Sequence, residues 1–116
     1  MNDISASPAD TAPLTRKRLP NRRGQLLLDF EADGFRYTAG LGFFEDGRLA
    51  EVFLNASKIG SPIEAAARDS AMVASIALQH SVPPDTIRHA LTRDRNGNAS
   101  GPLGTLLDLL AAEPVP

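Results

Sequence analysis

No cysteine occurs in the 116 residues. Within this chain, that excludes disulfides, thiolate zinc sites, iron–sulfur ligation and thiol catalysis. Tryptophan is absent too, and aromatic residues make up only 5% of the chain. A core must therefore be built from leucine, isoleucine, valine and alanine with a few phenylalanines. No run of about 18 apolar residues exists, so no membrane-spanning helix and no membrane partner are expected. Residues 1–13 are rich in Ser, Ala, Asp and Pro and lack the apolar stretch of a secretory signal, which favours a cytoplasmic location. The two histidines, His80 and His89, have no set of spaced carboxylate partners, and no nucleophile elbow is present. Neither a metal site nor a hydrolase triad is expected, and no cofactor.

What is present is the composition of one ordinary globular domain, with 42% hydrophobic and 22% charged residues. The net charge of −2 hides an asymmetry. Residues 1–23 hold five basic and two acidic residues, net +3, and the remaining seven basic and twelve acidic residues leave −5. Residues 1–13 bury too little apolar surface to offset the entropy of ordering and are expected to be disordered. Residues 14–24 form a basic connector interrupted by Pro20 and closed by Gly24. The chain divides into a basic-ended tail over 1–18 and a domain over 19–113.

The domain reads as α+β: a three-stranded antiparallel meander covered by one long and two shorter helices. Alternation puts Leu26, Leu28 and Phe30 on one face of a strand over 25–31. A turn at Ala32-Asp33-Gly34 leads to a strand over 35–43, where Phe35, Tyr37, Ala39, Leu41 and Phe43 face one way. An Asp46-Gly47 hairpin signal precedes a strand over 49–55 with Ala50, Val52 and Leu54 on one face. Ser61-Pro62-Ile63-Glu64 then reads as a helix start: Ser61 caps, Pro62 takes the first turn, and Glu64 sits at the capping-box position. The helix is expected to reach about His80, with Glu64, Arg68, Ser75 and Gln79 as its polar stripe and Glu64–Arg68 as an i,i+4 ion pair. It is apolar over more than half its circumference, which predicts a further contact beyond the sheet. Val82-Pro83-Pro84 ends it and starts a shorter helix over about 84–91. The last helix runs from Gly101-Pro102 to about Ala112, with Leu103, Leu106, Leu107 and Leu110 on one side.

Three stretches carry groups suited to anions. Lys58 and Ser61 flank the start of the long helix, where backbone N–H groups and the helix dipole favour negative charge. The competing reading is a plain cap, with Glu64 filling that positive end. The loop over 93–101 offers Arg93, Arg95, Asn96 and Asn98 among glycines, either as a phosphate or nucleic-acid clamp or as a connector built from turn residues. The connector residues Arg16, Lys17, Arg18, Arg22 and Arg23 would contact phosphates with strong salt dependence, or else remain a solvated tail. No aromatic residue is interleaved with them, so base stacking is not indicated.

Residues 47–61, Gly-Arg-Leu-Ala-Glu-Val-Phe-Leu-Asn-Ala-Ser-Lys-Ile-Gly-Ser, together with the alanine-rich helix and Leu78-Gln79-His80-Ser81-Val82-Pro83 running on to Ile87, carry a family resemblance. The stretch over 47–91 resembles the TSCPD domain, the small C-terminal domain of vitamin B12-dependent (class II) ribonucleotide reductases. The segments around Leu19-Pro20-Asn21-Arg22-Arg23 and over 93–104 resemble short stand-alone bacterial relatives. The resemblance implies the fold, and an accessory role toward a nucleotide, a nucleic acid or a reductase-like partner. It carries over no catalytic residue, because the reductases depend on redox cysteines and a large barrel that have no matching positions here. The reading is a non-catalytic module that meets a protein partner or a second copy. The alternative is a nucleotide- or nucleic-acid-binding module.

Overall fold

A computed structural model of the protein describes residues 26–58 and 60–112. The expected disordered tail and the connector with Arg16, Lys17, Arg18, Arg22 and Arg23 lie outside these residues.

Three antiparallel strands, β1 (Leu26–Ala32), β2 (Phe35–Phe43) and β3 (Leu49–Ala56), form one sheet in the order β1-β2-β3. The turn between β1 and β2 puts Asp33 and Gly34 at φ 53° and 83°. Two consecutive left-handed residues match the twist of a two-residue hairpin, and Asp-Gly is one of the pairs that tolerate them well. The second turn is anchored by Asp46, whose Oδ1 accepts from the Arg48 N–H at 3.1 Å, while the Arg48 guanidinium lies 4.9 Å over the Phe44 ring. The ladder shifts register at Gly42/Phe43.

Alternation places Tyr37, Ala39 and Leu41 of β2 and Ala50, Val52 and Leu54 of β3 on the buried face. Helix α1 (Pro62–Gln79) covers this face chiefly over β3, and α3 (Pro102–Ala112) meets β1 and α1 beside it. Ala67, Ala71, Ala74 and Leu78 from α1, with Leu103, Leu106 and Leu107 from α3, close the core. The alanines let α1 approach the strands closely. Helix α2 (Pro84–Ala90) contributes no fully buried residue and leans on α3.

The expected polar stripe of α1 is corrected by the structure. Ser75 and Gln79 are buried, 6% and 4% exposed, while Met72 and Val73 are 62% and 67% exposed. The reason is the free edge of β3. An edge strand leaves backbone groups without a ladder partner, and buried groups of this kind need hydrogen bonds. Ser75 Oγ accepts from the Val52 N–H at 2.8 Å and donates to the Val52 carbonyl at 3.0 Å. Gln79 Nε2 donates to the Ala50 carbonyl at 3.0 Å. Two polar side chains of the helix therefore seal the strand edge, and the apolar outer stripe is what remains facing outward. The expected Glu64–Arg68 ion pair is likewise not made, because Glu64 turns back into the helix cap.

Helix α1 stops where His80 N donates to the Ile76 and Ala77 carbonyls and Ser81 turns left-handed at φ 72°. The N–H groups of Ser81 and Val82 bond the Leu78 and Ala77 carbonyls at 3.0 Å. A serine in this conformation costs energy that a glycine does not. Ser81→Gly is expected to stabilise the domain by roughly 0.5–1 kcal/mol, read as a higher urea midpoint at unchanged slope. A lower midpoint would show that this C-terminus is not strained.

Candidate functional site

The start of α1 is occupied by its own groups. Ser61 Oγ accepts from the Glu64 N–H at 3.1 Å and donates to the Lys58 carbonyl at 2.7 Å. Glu64 Oε1 accepts from the Gly60 N–H at 2.7 Å. A carboxylate thus sits where a bound anion would sit, and Lys58 is exposed beside it.

The loop before α3 folds on itself. Asp94 Oδ1 accepts from the N–H groups of Asn96 and Asn98 at 2.8 and 3.0 Å, and Arg93 bridges to Ala99 across a minimal hairpin. The Arg93 guanidinium is committed to Asp108 of α3 by two parallel bonds of 2.8 and 2.7 Å, and Nη1 also donates to the Gly97 carbonyl at 3.0 Å. Arg88 of α2 adds a bond of 3.3 Å to the same carboxylate and one of 3.2 Å to Asp85. One carboxylate therefore ties the loop, α2 and α3 together. Arg95, Asn96 and Asn98 are exposed on the loop. Among the described residues, Arg95 and Lys58 have no ion-pair partner. The cleft of about 270 Å³ between α1 and the start of α3 is lined by Ala66, Ala67, Ser70, Leu91, Thr92 and the residues 101–104, and by none of the anion-site candidates.

Asp108 is an intramolecular ion-pair contact that residue patterning does not reveal. The available signal was its position as the one charged residue in an otherwise leucine-rich helix. The hydrogen bonds from Arg93, and then the one from Arg88, hold the Asp108 carboxyl below its ordinary range against the opposing effect of burial. A carboxyl whose pKa is lower folded than unfolded adds stability above the unfolded pKa, and that stability is lost as pH falls through the folded value. Asp108→Asn should therefore melt lower than the unaltered chain at neutral pH, and the gap should close on acidification below about pH 4. Paired thermal melts from neutral to acidic pH check this, and a gap constant across that range would sink it.

Tyr37 is buried and stacks on Phe30 at 5.6 Å between ring centroids. Burial, with a smaller contribution from Asp33, pushes its phenol up, so it stays neutral. No group of three or more potential metal ligands exists among the described residues. No helix among them is long and apolar enough to cross a membrane.

One broad concave surface among the described residues is largely apolar. A groove of about 800 Å³ runs between the outer face of the sheet and α1, past Phe53 and Leu27 on one wall and Met72 and Ile76 on the other. Arg68, Glu51, Thr38 and Asn55 form its polar rim. Phe53 is half exposed, and Val73 continues the apolar surface along α1.

Residues of this chain match vitamin B12-dependent ribonucleotide reductases from three bacteria. Identity is 32% over 77 residues for the Agrobacterium fabrum enzyme, 30% over 80 for that of Bradyrhizobium diazoefficiens, and 32% over 80 for that of Rhodopirellula baltica. These alignments cover 66%, 69% and 69% of this chain. The chain is a relative of one small part of these reductases. It spans 6–8% of the length of the reductases it matches. No family model and no solved structure matches it. The module is thus reductase-like in sequence, with an α+β fold that follows from its own strand and helix pattern.

Proposed function

We propose that the chain is a non-catalytic accessory module of the TSCPD type, equivalent to the C-terminal domain of vitamin B12-dependent reductases. It would act in the cytoplasm by docking on a larger reductase-type chain. The observation that carries this reading is the groove of Phe53, Met72 and Ile76, extended by Val73, an apolar surface with a polar rim. In the relatives the matching segment is a small fraction of a long polypeptide, so the rest of that polypeptide is the natural neighbour for such a surface. The absence of cysteine argues against redox turnover by this chain.

A role in binding nucleotides or nucleic acid draws less support. Arg93 is held by Asp108, and Glu64 occupies the start of α1. Lys58, Arg95, Asn96 and Asn98 remain exposed, and the basic connector lies outside the described residues.

The test is co-elution of the full chain with a purified vitamin B12-dependent ribonucleotide reductase, followed by light scattering. A 1:1 complex is expected. Ile76→Asp should weaken it at least about tenfold, since a central apolar anchor carries much of an interface, while leaving the melting temperature nearly unchanged. A strict monomer that never co-elutes overturns the reading, and so does a complex insensitive to Ile76→Asp and Phe53→Asp together.

A further inference from the structure

The two edges of the sheet are built differently. The β3 edge is sealed by Ser75 and Gln79 of α1. Among the described residues, the β1 edge has no such hydrogen-bonded seal. With a neighbour on one side only, every second residue of β1 turns its N–H and C=O outward. Among the described residues, no group outside β2 hydrogen-bonds β1, and the single side-chain bond it receives, Thr38 Oγ1 to Asp29 Oδ1 at 2.8 Å, comes from within the sheet.

Of the usual protections of an exposed edge, β1 carries only acidic side chains, Asp29 and Glu31. Strand β1 runs seven residues in unbroken register, with no bulge, proline or basic residue. Its inner row, Leu26, Leu28 and Phe30, flanks the core, with Leu28 and Phe30 only partly buried. Its outer row presents Asp29 and Glu31, both exposed, beside Leu27 at 74% exposure. A strand added here would find backbone partners, an apolar row on one face and an acidic row on the other.

We infer that the β1 edge takes up an extended segment of a protein partner in which apolar residues alternate with lysine or arginine. Main-chain bonds to the outward groups of β1 supply affinity, and alternate side chains supply selectivity. The apolar side chains extend the row of Leu28 and Phe30. The basic ones face Asp29 and Glu31, and each cross-strand pair of opposite charge adds a fraction of a kcal/mol. A second copy fits less well. Antiparallel pairing of β1 with itself gathers Asp29 and Glu31 of both copies on one face, where like charges oppose association. The inference does not rest on the proposed reductase docking: the two surfaces meet at Leu27, but neither Asp29 nor Glu31 lines the groove between β3 and α1.

The experiment titrates the full chain into a fluorescent eight-residue peptide of alternating valine and lysine. Two control peptides are used: a valine–glutamate peptide, and the valine–lysine peptide carrying a central proline. Anisotropy reports binding, and hydrogen exchange reports the β1 amides. The valine–lysine peptide should bind about tenfold more tightly than either control and slow exchange in β1. Asp29→Lys with Glu31→Lys should reverse the charge preference at an unchanged circular dichroism spectrum. If that double variant misfolds, Glu31→Lys alone carries the same test. No binding up to about 1 mM peptide overturns the inference. Equal binding of the two charge types overturns it too, as does protection of the β1 amides by dimerisation of the free protein.

Discussion

Ser75→Ala is expected to destabilise the domain by about 2–4 kcal/mol, although it removes one oxygen atom. That oxygen bonds both the N–H and the carbonyl of Val52, and both residues are almost fully buried. Alanine leaves two buried backbone groups without partners, and each unsatisfied group costs about 1–3 kcal/mol. For a domain of this size such a loss lowers the melting temperature by roughly 10–25 °C. Ser70→Ala is the control on the same helix. The Ser70 hydroxyl bonds only the Ala67 carbonyl of its own helix at 2.8 Å and is partly exposed, so its loss should be nearly neutral. Equal effects of the two substitutions would show that α1 does not seal the strand edge.

The same pair explains what could be read from sequence and what could not. Period-2 alternation located β2 to its terminal residues, and β1 and β3 within one residue, because one face of the sheet is buried and the register cannot slip. The start of α1 was equally legible, since Ser61, Pro62 and Glu64 act through neighbours in the chain. A helical wheel ranks side chains by polarity and so places Ser75 and Gln79 on the solvent side. Nothing local records that the free edge of a strand more than twenty residues earlier would need their hydrogen bonds. Asp108 escaped for a similar reason. Its partner Arg93 lies fifteen residues away across a loop, a separation with no helical or strand period. The loop over 93–101 offers Arg93 either to an external anion or to a plain turn connector, and the structure gives it an anion from within the chain.

The apolar stripe of α1 was expected from its circumference, but its position follows from the edge seal. Because Ser75 and Gln79 turn inward, Met72, Val73 and Ile76 turn outward, next to Phe53. One rotation of the helix thus both closes the β3 edge and creates the groove. Among the described residues, no helix side chain hydrogen-bonds the β1 edge, and its outer row is acidic at Asp29 and Glu31.

Leu106→Ala should cost about 3 kcal/mol, within the 2–5 kcal/mol range for emptying a buried leucine site. Leu106 has no exposed surface and packs in the core cluster with Leu103 and Leu107. Against a total stability of about 5–15 kcal/mol, such a loss is a substantial fraction of the whole. Leu109→Ala on the same helix is the comparison, since Leu109 is exposed and its truncation should stay within about 0.5 kcal/mol. Urea unfolding of both variants separates the cases, and equal losses would show that α3 docks by a different face. The consequence reaches the ion cluster. Asp108 holds Arg93 and Arg88 only while α3 is seated against the core. If Leu106→Ala loosens that seat, the acid-dependent gap between the chain and its Asp108→Asn variant should shrink in the Leu106→Ala background. If the gap keeps its full size, the cluster is positioned by α2 and the loop alone, without help from the packing of α3.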